Sequence, residues 1–230
     1  MEQRRRSFLR MVSHELRTPL NTVIGFSEII ASELYGLLGT PEYKEYAEFV
    51  RQSGYRLLKL VNQVIEIARL EDGVVDLDLS GEPVGQAIDD IISALKDGIA
   101  AREVQIVVED RDTLPIVRAD GHGLRTMLLN LTQNALADSP QGGLISLRCR
   151  LGDSGVEIEI EDRGPGIEPS QLQRLRQPFE QGDDALTRSS EGAGLGLAIT
   201  QLLARAMNGQ LRLRSSVGAG FKAILVLPSA

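Results

Sequence analysis

At 230 residues the chain has room for one large domain or two modest ones, each able to bury a core. A net charge of −7 and an aromatic content of 4% fit an ordinary soluble protein, and speak against a general nucleic-acid binder or a broad basic face for anionic lipid. A single cysteine, Cys149, rules out an intrachain disulfide, and there is neither an apolar run near the ~18 residues of a membrane span nor a signal-peptide pattern, so a soluble, cytoplasmic chain without membrane contact is expected.

Two long helices are predicted first. Phe8, Val12, Leu16, Leu20, Val23, Ile30 and Leu34 recur at steps of three, four or their multiples. A break follows around Gly36, Gly39 and Pro41. A second stripe then runs through Tyr43, Ala47, Val50, Gly54, Leu57, Val61, Val64 and Ala68, alternating four and three in the manner of a heptad seam. Two such helices joined by a short turn make an antiparallel hairpin, and a lone hairpin cannot bury both sides of its seam. Pairing with a second copy into a dimeric four-helix bundle is the natural completion. The basic run Arg4-Arg5-Arg6 reads as a solvated helix start or linker end rather than a targeting signal.

The texture changes near residues 71–73. The stretches "VVDLDL", "VQIVVED", "LISLRCRL", "GVEIEIED", "QLRLRS" and "FKAILVLP" alternate as strands do. Helical segments are expected between them at 84–101, 121–138, 169–175 and 194–207. The expected fold is thus an all-α hairpin over 1–71 followed by an α+β sandwich over 72–230, a mixed sheet backed by helices.

Within "MVSHELRTPLNTVIGF", His14 lies two residues from both Val12 and Leu16, about 200° around the helix from each. With those two facing the core, the histidine points to solvent. Glu15 beside it can polarise or deprotonate the imidazole, and Thr18 follows one turn later on the same face. Pro19 removes the donor that would bond the carbonyl of Glu15, which loosens or bends the helix just past the histidine. His14 reads as a presented group.

Three glycine and asparagine clusters follow. Asn130 and Asn134 stand one turn apart, with Met127, Leu128, Leu131 and Ala135 covering the other side of their helix. Two neutral carboxamides so placed can hold a hydrated cation and its phosphates without added repulsion, although two solvated asparagines would look the same. In "EDRGPGI", Asp162 ends a strand where its carboxylate can accept from a base amino group, and Gly164 and Gly166 let backbone approach a flat ring; a plain acidic turn is the alternative. In "EGAGLGLAI", Gly192, Gly194 and Gly196 open an apolar helix, an arrangement suited to anions. The polar stretch containing "QPFEQGDDALTRSS" lies between the last two clusters and suits a lid.

Taken in this order, "SHELRTPLN", "NLTQNA", "DRGPGI", "PFEQG" and "GAGLGLAI" resemble the phosphoacceptor, N, G1, F and G2 boxes of bacterial sensor histidine kinases. The stretch from "GFSEIIASELYG" to "EIARLE" further resembles the cell-cycle and developmental kinases of alphaproteobacteria. The resemblance implies a dimerisation and phosphotransfer hairpin followed by a Bergerat-type ATPase domain. Carried onto this chain, His14 accepts the γ-phosphoryl group of ATP, Glu15 assists, and Thr18 orients water when a partner is dephosphorylated. Asn134 binds Mg²⁺ with Asn130 in support, Asp162 binds the adenine amine, and Gly164 and Gly166 shape its pocket. Phe179 anchors the lid, and Gly192, Gly194, Leu195 and Gly196 close over the phosphates; apart from the resemblance, Arg188 in the lid is a candidate replacement for the cation missing at Ala137.

The implied partners are a second copy of the chain and a response-regulator receiver domain, with no nucleic acid. The implied location is the cytoplasm, alone or as the cytoplasmic portion of a larger sensor. Relatives usually carry a cation and then an aromatic residue where this chain has Ala137 and Asp138. On a continuing helix both are expected on or near the nucleotide side, with Asp138 weakening ATP binding if it reaches the phosphates. A degenerate kinase serving as a dimeric scaffold is therefore one alternative, and a clamp-type ATPase of the same superfamily is another. His122 and Cys149 match no site and read as structural.

Overall fold

The computed structural model describes residues 2–73, 75–177, 180 and 194–230, apart from the side chains of residues 2–15 and 176. It divides into two units, Met1–Val74 and Val75–Ala230.

The first unit is a helical hairpin of α1 (Glu2–Ala31) and α2 (Pro41–Glu71), with Pro41 at the first turn of α2, where its missing donor costs nothing. The turn between them is tied by Glu33, which accepts from Lys44 Nζ at 3.0 Å and from the Leu38 amide at 3.1 Å. Small residues set the helix spacing: Gly54 packs so close to α1 that a Cβ there would lie 2.6 Å from Ile24 Cγ1. The hairpin's own core is a narrow seam of Ile24, Ser27, Ala47, Gly54, Ile65, Ile67 and Leu70. A second seam stays open. Every seventh residue, Leu16, Val23 and Ile30 on α1 and Tyr43, Val50, Leu57 and Val64 on α2, is exposed. Leu16 therefore does not face the hairpin's core, contrary to the expectation from its spacing. It belongs to the open stripe.

The second unit opens with β1 (Leu79–Pro83), which pairs antiparallel with β3 (Ile116–Asp120) in a two-stranded sheet. The expected strand "VVDLDL" is thus displaced: among its described residues only Leu79 is in a strand, and the ladder continues into "SGEP". Asp120 explains the limit. Its Oδ2 accepts the Asp78 amide at 3.1 Å and its Oδ1 caps the next helix by accepting from the Gly123 amide, so the ladder ends on a side chain. Strand β3 was not anticipated at all.

The expected helix 84–101 breaks at Leu95 into α3 (Val84–Ala94) and α4 (Lys96–Ala101). Helix α5 spans Gly121–Asp138 and α6 spans Gly196–Ala206. The segment 169–175 forms two 3₁₀ turns, Pro169–Gln171 and Arg174–Arg176, instead of an α-helix. The main sheet has the order β2 (Gln105–Val108), β4 (Leu144–Gly152), β5 (Gly155–Glu161), β7 (Phe221–Leu227), β6 (Gln210–Ser215). The β2–β4 pair is parallel and the others antiparallel.

Helices α3, α5 and α6 pack side by side, with α5 against β5 and α6 against β6 and β7. Strand alternation sends Val156, Ile158 and Ile160 of β5, with Leu225 and Leu227 of β7, to the buried helix-facing side. The opposite face carries an ion lattice. Arg148 meets Glu109 at 2.6 Å, Arg150 meets Glu157 at 3.0 Å and also Glu159, Arg212 meets Glu157 at 3.1 Å, and Lys222 meets Glu161 at 3.0 Å. Ile224 and Val226 lie on this face too, yet are 1% and 2% exposed, flanked in register by Glu157, Glu159 and Arg212.

Candidate functional site

Helix α5 runs continuously to Asp138, so Asn130 and Asn134 keep the one-turn spacing read from the sequence. Both are half-buried, while Met127, Leu128, Leu131 and Ala135 are buried on the opposite side. Asn130 Nδ2 donates to the carbonyl of Gly196 at 3.3 Å, which joins α5 to the first residue of α6. The same carbonyl accepts from Thr200 Oγ1 at 2.8 Å. Leu195, 1% exposed, anchors the turn before α6, and Gly194 takes a φ of +70° there. The N and G2 clusters therefore meet.

Asp162 follows the end of β5 and is only 2% exposed. Its Oδ1 accepts from the Gly164 amide at 2.8 Å and the Phe221 amide at 3.2 Å; Oδ2 takes neither bond. Burial pushes its carboxyl up from 3.8 to about 6. The two amides oppose that rise, and the charges of Asp138 and Glu161 add to it. The glycines do specific work here. A Cβ on Gly164 would stand 2.6 Å from the carbonyl oxygen of Asp138, and Gly166, at φ +67°, would put one 2.0 Å from the carbonyl of Ser216.

Three contributors were not read from the sequence. Phe221 supplies the second amide to Asp162. Ser215 accepts the Ile167 amide at 2.8 Å and donates to the Gly220 carbonyl at 2.6 Å, tying the loop after Asp162 to β6 and β7. Arg102 Nη1 donates to the carbonyls of Ala137 and Ser139 at 2.9 and 3.4 Å, and so holds the end of α5. None carries a local sequence signal, because each acts through a contact made far along the chain.

The carbonyl of Asp138 lies over Gly164 and its charge bears on Asp162, at the far end of the helix face from the Asn130–Gly196 contact. Cys149 is half-buried, with its thiol pushed up to about 12 by burial, as suits a structural residue.

In the hairpin, His14 and Glu15 lie on α1, with their side chains outside the described residues. Thr18 is exposed one turn later, and Pro19 sits inside the helix as expected. Arg17 Nε donates to Asn62 Oδ1 at 2.7 Å, joining the two helices at this level. Phe179, Arg188 and Gly192 lie outside the described residues.

This arrangement is matched by known proteins. Residues 4–73 match the His Kinase A (phospho-acceptor) domain, and residues 119–230 match the histidine kinase-, DNA gyrase B- and HSP90-like ATPase domain. The histidine protein kinase DivJ of Caulobacter vibrioides is 36% identical over 228 residues, covering 97% of this chain and 37% of that protein. The non-motile and phage-resistance protein of the same organism is 34% identical over 226 residues, covering 96% of this chain and 27% of that protein. The crystal structure of full-length ShkA in complex with AMPPNP superimposes with a TM-score of 0.80 at 30% identity, over 97% of this chain and 47% of that one. The Acinetobacter baumannii kinase AdeS, 19% identical with a TM-score of 0.63 over 93% of this chain and 97% of its own, shares the fold. The chain belongs to the sensor histidine kinase family, with alphaproteobacterial cell-cycle kinases among its relatives. It spans between about a quarter and two-fifths of the curated relatives named here.

Proposed function

We propose that the chain is an ATP- and Mg²⁺-dependent protein histidine kinase core that phosphorylates His14 and passes the phosphoryl group to an aspartate of a response-regulator receiver domain. Residues 1–71 act as the dimerisation and phosphotransfer unit and residues 72–230 as the ATP-binding unit. The observation that carries this reading is the Asn130–Gly196 hydrogen bond at 3.3 Å, with Asp162 at the other end of the same helix face. Neutral carboxamides at the phosphate end and a buried carboxylate at the base end fit a purine nucleotide with its cation.

When bound, ATP supplies the phosphoryl group and Mg²⁺ offsets its charge. Asn134 holds the cation with Asn130 in support. Asp162, with Oδ1 committed to backbone amides, offers Oδ2 to the adenine amine. The turn of Gly194, Leu195 and Gly196 opens α6, whose amides suit the phosphates, and Gly192, Phe179 and Arg188 complete the lid side. The His14 imidazole nitrogen would attack the γ-phosphorus, forming the N–P bond as the bond from that phosphorus to the β,γ-bridging oxygen breaks and ADP leaves, while Glu15 takes the imidazole proton. Thr18, exposed one turn on, orients water against the phosphorylated regulator, which makes the protein a phosphatase as well.

The open stripes of Leu16, Val23, Ile30, Tyr43, Val50, Leu57 and Val64 support a homodimer, since a second hairpin would cover them. Among the described residues no helix is long and apolar enough to cross a membrane; the kinase reading, with a receiver domain as partner, puts this segment in the cytoplasm. Incubation with γ-labelled ATP tests the activity. Acid-labile, base-stable label on the wild type and none on His14→Ala is expected. Label persisting on that variant would remove His14 from the role, and no label on the wild type would favour a docking module with little ATP turnover, a reading to which Ala137, in place of the cation usual in relatives, lends support.

A further inference from the structure

Asn130, Asn134 and Asp138 lie at four-residue steps along one face of α5. The line starts where Asn130 meets Gly196 and ends beside Asp162. Residue 138 is held there firmly. Arg102 grips the carbonyls on either side of it, and Ser139, 3% exposed, donates through Oγ to the Ala135 carbonyl at 2.7 Å. Asp162 sits on the inside of this corner at 2% exposure and Asp138 on its exposed rim, with the backbone of 138 against Gly164. The backbone of 138 thus lies at the corner that holds Asp162, close enough for the Asp138 charge to bear on that carboxylate.

We propose that Asp138 is a second acceptor for the nucleobase and, together with Asp162, selects a 6-amino over a 6-oxo purine. This rests on the reading of Asp162 as the base acceptor given above. An exocyclic amine carries two protons: Asp162 takes one and Asp138 the other. A 6-oxo purine turns a carbonyl toward both carboxylates, so that acceptor faces acceptor and none is satisfied. Asn130 and Asn134, being neutral, leave the phosphate end of the face without repulsion, and the carboxylate at 138 is confined to the end where a donor arrives. The departure from relatives at this position then tunes base choice.

The test is calorimetry on the purified 230-residue chain with ADP, IDP and GDP in the presence of Mg²⁺, comparing wild type, Asp138→Ala and Asp138→Asn. The wild type is expected to prefer ADP over IDP by about a hundredfold or more, and Asp138→Ala to cut that ratio by at least about tenfold. Asp138→Asn, whose amide can donate to the 6-oxo group, is expected to bind IDP more tightly than the wild type does. Thermal melts establish that both variants fold. An unchanged ADP-to-IDP ratio in both variants would place Asp138 out of reach of the base and overturn the proposal. GDP binding more tightly than ADP to the wild type would also overturn it, because the carboxylates would then be reading ring and 2-amino donors. A wild type that binds none of the three nucleotides overturns the kinase reading and this inference together; ADP bound with an unchanged ratio removes the inference alone.

Discussion

The carboxamide of Asn130 donates to the main-chain carbonyl of Gly196 across 3.3 Å, and with that one bond α5 fixes where α6 begins. The contact joins the residue proposed to support the cation to the turn proposed to receive the phosphates. A neutral hydrogen bond of this kind contributes about 1 kcal/mol to folding, whereas a lost bond to a charged ligand costs about 1.5–3 kcal/mol. Asn130→Ala should therefore leave stability within about 1 kcal/mol of wild type while weakening Mg-ATP binding roughly tenfold or more. Paired denaturation and calorimetry would show this, and equal small losses in both would make Asn130 merely structural.

Asp162 sets function against stability. Its carboxyl is raised from 3.8 to about 6 chiefly by burial, so the native state keeps the proton to higher pH than the unfolded chain does. Stability therefore falls as pH rises through the window from 3.8 to about 6 and stays lower above it. At 1.36 kcal/mol per pH unit this is on the order of 3 kcal/mol. Asp162→Asn keeps an acceptor for the Gly164 and Phe221 amides and carries no charge. Its melting temperature should exceed that of the wild type at pH 7.5, the two should converge toward pH 4, and adenine nucleotide binding should be lost. A variant less stable than wild type at both pH values would contradict this account.

Leu57 and Gly54 separate assembly from folding. Leu57 is 50% exposed on the open stripe, while Gly54 is buried against Ile24. Leu57→Glu should dissociate the proposed dimer at micromolar concentration yet keep its helical circular dichroism. Gly54→Leu should disrupt the hairpin itself, since even a Cβ meets Ile24 at 2.6 Å. Light scattering that finds a folded wild-type monomer would end the dimer proposal.

Thr18 is exposed, and its own carbonyl accepts from Thr22 Oγ1 at 3.0 Å. Thr18→Ala should slow dephosphorylation of the regulator by about tenfold or more, a usual size for one positioned catalytic group, and leave labelling of His14 within about twofold. Parallel loss of both activities would reduce Thr18 to a structural role.

The parts legible in the sequence were those written in short-range periodicity. The helical repeat gave α1, α2 and α5, and period-two alternation gave β4 to β7, because each pattern matches the geometry of its own element. The five boxes were legible as short local strings of residue types, and the matched domains contain them. The pairing of Leu79 with Asp120 was not, since the partner of a strand is a long-range choice and Asp120 was committed to capping α5. The Ser215 and Phe221 contacts, 48 and 59 residues from their partners, left no local trace. For Asp138, helical spacing gave the face, and not Gly164 as the neighbour over which that face ends.

The ion lattice on the outer face of the main sheet bears on how copies of the chain meet. Strand faces with apolar rows tend to stack on one another, and edge strands tend to recruit further strands. Here the face presents alternating Arg, Lys and Glu side chains, and the edge strand β6 carries Arg212 and Arg214. A second sheet could approach only by dismantling ion pairs, including those of Glu159, which is 5% exposed. Among the described residues the exposed large apolar side chains of this unit, Val107, Ile116, Leu151 and Val217, are scattered over separate elements, whereas those of the hairpin run in register. The apolar surface open to a second copy is thus on the helices, and in the proposed homodimer the second unit would be a monomeric passenger.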